Sequence, residues 1–213
     1  TLTLSDDTDE IIGTTSIKIL FKSNDVSQFR LDFSNRTKER LGKGMEVSAI
    51  RSEDTKLKFR HQDDALVIKM DQPTNKGEIR TFIIQYRGVP EAGLEIKNNQ
   101  FGDRTFFCEN WPNNTRHWLP TIDHPYEKAT VEFKIIAPAK YKVVSNGLLM
   151  EESLLTENNK FTHWKQSVPV SCWLYVLGVA EFAVQQVGTF EGKPIQTWVY
   201  AKNRDAGFHD FAY

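Results

Sequence analysis

Residues 109–130, ENWPNNTRHWLPTIDHPYEKAT, gather the side chains best suited to act on a ligand. Glu109 offers a carboxylate, Trp111 and Trp118 offer aromatic faces, and Arg116 and Asp123 are spaced to form an ion pair. A carboxylate that meets a cationic donor forms a charge-assisted hydrogen bond, which contributes about 1.5–3 kcal/mol. Such a site requires a fixed frame. Pro112, Pro120 and Pro125 lock φ and push the residues before them toward extended backbone, so this loop has few conformations open to it. Arg116 and Asp123 then read as scaffold, a bidentate pair that closes the loop across Pro120. Lys128 and Ala129 read as the start of a strand, the lysine paired at the surface and the alanine set at a crowded crossing.

A metal centre is not expected within these residues. The histidines are His61, His117, His124, His163 and His209, and no two stand at the i, i+4 spacing that puts two imidazoles on one helical face. His117 and His124 flank the loop and read as surface or packing residues, because zinc wants three convergent ligands and a water position. Cys108 and Cys172 lie on apolar stretches without a base beside them in sequence, which favours buried free thiols over a disulfide or a nucleophile. Asn113-Asn114-Thr115 matches the acceptor pattern for N-glycosylation.

The elements that must position these groups are nearly all strands. Ile17, Ile19 and Phe21 alternate with Lys18 and Lys22, Phe29, Leu31 and Phe33 with Arg30 and Asp32, and Leu57 and Phe59 with Lys56, Lys58 and Arg60. Segments 66–70, 79–86, 131–136, 141–145, 171–177, 182–187 and 195–200 continue the pattern, with turn residues at short intervals. Spacing this close calls for antiparallel pairing, since parallel crossovers need a dozen or more residues. Asn146-Gly147 predicts a tight hairpin between VVS and LLM. Residues 35–44 are helix-compatible but have no apolar face, so a loop or single turn is expected. The resulting fold class is all-β, an antiparallel two-sheet sandwich with a saddle-like extension. Alternation stops after Tyr200, which sets the expected boundary between residues 1–200 and residues 201–213.

Composition narrows the function classes. With 213 residues, 39% hydrophobic and 26% charged, the chain has the balance of a folded domain and not of a disordered one. Basic and acidic side chains number 27 and 28, so the electrostatic footprint of a nucleic-acid binder is missing. No apolar run reaches the length of a membrane span. The start, Thr1–Glu10, is polar and reads as a strand whose beginning is trimmed, which leaves a soluble protein, cytoplasmic or exported, as the expectation.

Arg116, Trp118, Leu119, Pro120, Asp123, Pro125, Lys128 and Ala129 together resemble the R-x-x-F-P-C-x-D-x-P-x-x-K-A signature of zinc aminopeptidases of the aminopeptidase N and leukotriene-epoxide hydrolase type. Other pieces follow in the same order. IQYRGVPEAGL (84–94) is similar to the family's Y-x-G-x-x-x-x-G-L strand and turn, VVSNG (143–147) to its a-x-S-N-G hairpin, and PVSCWLYVLGVAEF (169–182) to its P-x-S-x-Y-L strand. The resemblance runs from Gly13 to about Tyr200 and implies a β-saddle domain at the amino end of a peptidase that removes residues from peptide amino ends. In that family zinc is held by an H-E-x-x-H helix and a further glutamate, and a G-x-M-E-N strand binds the substrate's amino end; neither motif occurs in residues 1–213. The implied partners are therefore the parent's own catalytic domain and peptide substrates, with zinc as the parent's cofactor. By the same resemblance a glutamate five residues before the signature arginine binds the substrate ammonium. Here that position is Trp111, and Glu109 stands seven residues before Arg116. Either a two-residue insertion leaves the role with Glu109, or the role has moved or been lost, and Trp111 and Trp118 would line the cleft mouth or plug the sandwich. Two other readings stay open at this point: a scaffold of the same fold without peptidase activity, and a carbohydrate-binding sandwich that uses Trp111.

Overall fold

The computed structural model describes residues 1–211. Its first half contains β1 (Leu2–Thr3), β2 (Ile11–Leu20), β3 (Gln28–Asp32), β4 (Gly44–Ser52), β5 (Thr55–Lys56), β6 (Phe59–Gln62), β7 (Ala65–Lys69) and β8 (Ile79–Val89). Next come β9 (Leu94–Asn98), β10 (Arg104–Cys108), β11 (Lys128–Pro138), β12 (Lys142–Ser145), β13 (Leu148–Leu154) and β14 (Asn159–Ser171). The last elements are β15 (Leu177–Ala180), β16 (Phe182–Phe190), β17 (Lys193–Tyr200) and one helix, α1 (Arg204–Phe211). The all-β expectation is met. No helix among the described residues is long and apolar enough to cross a membrane.

The strands form an eight-stranded sheet in the order β13-β14-β11-β1-β2-β8-β4-β5 and a four-stranded sheet in the order β12-β15-β10-β9. A three-stranded sheet, β3-β7-β6, and a two-stranded ribbon, β16-β17, complete them. Period-two alternation explains how the large sheet presents one face to the core: Phe82, Ile84 and Tyr86 on β8 are buried, while Thr81, Ile83 and Gln85 between them are exposed. Phe29 of the three-stranded sheet packs on Phe82 with ring centroids 4.7 Å apart. Between the two larger sheets, the Trp164 indole N–H on β14 donates to the Val143 carbonyl on β12 at 3.0 Å. That bond satisfies a polar group which burial would otherwise penalise.

Three local expectations are corrected. Asn146-Gly147 is not a hairpin: β12 belongs to the four-stranded sheet and β13 to the eight-stranded one, so the dipeptide passes the chain from one layer to the other. Gly147 has φ +84°, and a Cβ there would lie 2.0 Å from the Lys165 carbonyl oxygen, so both backbone conformation and close approach require glycine. Residues 171–177 are not one strand. A 3₁₀ turn occupies Cys172–Leu174 because the Tyr175 carbonyl is drawn to the Asn110 side chain and the Cys108 thiol, at 2.8 and 3.1 Å. Finally, β1 and β11 pair in parallel, Leu2 opposite Ile135. The long intervening chain supplies the crossover that close spacing elsewhere does not. Residues 35–44 form no helix, as expected, with turns at 38–42 and β4 starting at Gly44, and after Tyr200 a 3₁₀ turn leads into α1.

Candidate functional site

The proline-rich loop joins β10 of the four-stranded sheet to β11 of the eight-stranded one, and it is anchored by its own aromatic and charged residues. Trp118 is fully buried, stacks on Phe133 with centroids 5.9 Å apart, and donates its indole N–H to Asn110 Oδ1 at 2.8 Å. It plugs the sandwich. Asn110 in turn donates to the Tyr175 carbonyl, tying the loop to the turn that precedes β15. Pro120 is buried beside these anchors, and the Ser171 hydroxyl donates to the Pro125 carbonyl.

Arg116 and Asp123 meet, as their spacing suggests, but not as a fork on a fork. The backbone N–H and Nε of Arg116 both donate to Asp123 Oδ2 at 3.1 Å, and a guanidinium nitrogen reaches the Asp123 carbonyl at 3.4 Å. The other carboxylate oxygen is taken: Cys172 Sγ donates to Asp123 Oδ1 at 3.2 Å. Asp32 Oδ2 accepts from the Asp123 backbone N–H at 3.0 Å and lies 4.0 Å from Arg116, so β3 also joins the knot. Burial first, and then the Asp123 carboxylate, push the Cys172 thiol up to about 11. Burial does the same to Cys108, also up to about 11. Both are free thiols held protonated at neutral pH, which fits packing and not nucleophilic chemistry.

The groups left facing outward are Glu109 and Trp111. Glu109 is exposed, and its Oε1 accepts the Trp111 backbone N–H at 3.1 Å. Its Oε2 has no protein partner among the described residues. Trp111 is 61% exposed and stacks on Trp173, centroids 4.4 Å apart and planes at 24°. Lys128 is exposed without an ion pair among the described residues, and Ala129 is exposed too, so neither the surface pair nor the crowded crossing exists. That correction has a simple cause: β11 begins beyond the packed region, and its first three residues face solvent.

The histidines are dispersed. His117 Nδ1 lies 2.9 Å from Ser34 Oγ and 3.6 Å from Glu91, while His61 contacts the Phe33 carbonyl at 3.0 Å. Burial pulls both below the usual imidazole range. His124 packs on Tyr126 at the surface. Among the described residues no group of three histidine, cysteine, aspartate or glutamate side chains is placed to hold a metal ion, so these residues do not fit zinc. Asn113 is exposed at the turn, whereas Thr115 of the same triplet is buried. Sequence reasoning missed Trp173, Asn110 and Asp32, all of which act through contacts between segments distant in the chain. Trp173 carried one usable signal, a large aromatic residue beside Cys172 in an apolar run.

A family model described as the Peptidase M1 N-terminal domain matches residues 1–174. Glutamyl aminopeptidase of Mus musculus is 29% identical over 94 residues, which is 44% of this chain and 10% of that protein. The Rattus norvegicus counterpart is 30% identical over 109 residues, 47% of this chain and 12% of that protein. Among solved structures, the M1 zinc metallopeptidase of Deinococcus radiodurans superposes with a TM-score of 0.76 at 19% identity, covering 92% of this chain and 44% of that one. A mutant of the same peptidase bound to a Tyr-Ser-Ala substrate gives 0.77 at 19% identity, covering 94% and 46%. Likeness at such identities shows the fold. In each case the chain spans less than half the length of the protein it matches.

Proposed function

This chain belongs to the Peptidase M1 N-terminal domain family, and from that premise we propose that it is the non-catalytic amino-terminal domain of a zinc aminopeptidase that shortens peptides from their amino ends. Residues 1–200 form one wall of the substrate cleft, and residues 201–213 begin the passage to the catalytic domain. By the family premise zinc belongs to the parent's catalytic domain, and among the described residues no group is placed to hold it.

One observation carries the reading. The loop is pinned from inside by Trp118 and by Asp123 with Arg116, and from that buried frame Glu109 presents an oxygen with no protein partner. A carboxylate held in this way would accept a hydrogen bond from a peptide's terminal ammonium and orient the first residue. Trp111 borders the same position and would contact the substrate. The test is Glu109→Gln in the parent enzyme: removing the charge-assisted bond should lower kcat/KM for amino-acid anilides by about tenfold to a hundredfold. Unchanged kcat/KM would refute the role of Glu109.

A further inference from the structure

The Trp111 indole is exposed, yet it is firmly held. Its N–H in the backbone donates to Glu109 Oε1, its carbonyl accepts Asn114 Nδ2 at 2.9 Å, and one ring face lies on Trp173. Trp173 follows Cys172, whose thiol is fastened to the buried Asp123. Two tryptophans are thus stacked on a rigid base while the outer one leaves 61% of its surface to water. Aromatic surface of that size, left outside when a core is available, gains free energy from whatever covers it.

The chemistry beside the stack selects the occupant. Glu109 sets negative charge at the edge of an apolar, flat surface, so the complementary ligand carries a cation and a flat apolar group close together. An amino-terminal residue with an aromatic side chain has both on one carbon. A protein surface seated here would have to bring its own cation to avoid burying Glu109 unpaired. We propose that the Trp111–Trp173 stack is the shelf that receives the first side chain of the peptide, and that it favours aromatic first residues. The inference rests on the aminopeptidase reading and adds a preference to it.

The experiment compares Phe- and Ala-anilide hydrolysis by the parent enzyme with Trp111→Ala and Trp111→Phe. Loss of the stacking surface should lower the Phe-to-Ala ratio of kcat/KM by about twofold to tenfold, through KM, and Trp111→Phe should restore most of it. Trp173→Ala should shift the ratio the same way. An unchanged ratio, or an equal fall for both substrates, would overturn the shelf while leaving the aminopeptidase reading intact. Hydrolysis of neither substrate by the unmodified parent would overturn both. Glu109→Gln separates the two roles, because it should depress both substrates together.

Discussion

Asp123 is the residue on which the loop's rigidity turns, and its removal gives a calculable loss. Asp123→Ala deletes the acceptor of two Arg116 donors and of the Cys172 thiol, from a side chain only 1% exposed. Breaking a buried ion pair costs about 3–5 kcal/mol. Arg116 remains 24% exposed and keeps Asp32 within 4.0 Å, so the lower end applies, about 3 kcal/mol. For a chain of this length that corresponds to a fall in Tm of about 6–12 °C. Asp123→Asn retains an acceptor oxygen but loses the charge and turns an N–H toward either Arg116 or Cys172, for a loss of about 2 kcal/mol. Urea unfolding of residues 1–213 reads both values, provided the midpoint moves and the slope m does not. A double-mutant cycle with Arg116→Ala isolates the pair, because the two residues touch. A loss below about 0.5 kcal/mol for Asp123→Ala, within the range of ordinary surface substitutions, would refute the claim that this knot holds the loop.

Other consequences follow from the same geometry. Trp118→Ala should cost about 3–5 kcal/mol by emptying the end of the sandwich and orphaning Asn110 Oδ1, measured by the same unfolding curves. Gly147→Ala should also destabilise the chain, by more than about 1 kcal/mol, because its Cβ would meet the Lys165 carbonyl at a left-handed φ. His61 and His117 have folded-state pKa values below the ordinary imidazole value. The unfolded chain therefore takes up protons that the folded chain refuses, and stability should decline as pH falls below about 6.5. Melts at pH 7.5 and 5.5 should show the drop, and His117→Gln should flatten it. Both thiols should stay unreactive toward a disulfide reagent at pH 8 until the chain unfolds, since burial holds them up at about 11.

Strand alternation was legible because burial on one face of a sheet writes itself into every second residue, as at Phe82, Ile84 and Tyr86. The loop's anchors were legible in part. Arg116 and Asp123 pair at a short chain separation, so their meeting follows from prolines and charge alone, but the third partner, Cys172, is 49 residues further on and changes the geometry from a fork to a shared carboxylate. Asn146-Gly147 shows the same limit. The dipeptide specifies a tight turn, and Gly147 takes the left-handed φ such a turn wants, yet whether the flanking strands pair depends on which sheet each joins. The 3₁₀ turn at Cys172–Leu174 lay within an apolar run that alternation reads as strand, and only the distant Asn110 and Cys108 interrupt it. Trp111 and Trp118 are the same residue type on one loop. Contacts alone separate them, one inside against Phe133 and one outside against Trp173.

The most direct measurement is anilide hydrolysis by purified residues 1–213 beside the parent enzyme that contains them, each with and without a zinc chelator. A wall without catalytic groups gives no turnover on its own and chelator-sensitive turnover in the parent. Chelator-sensitive hydrolysis by residues 1–213, or none by the parent, would contradict it.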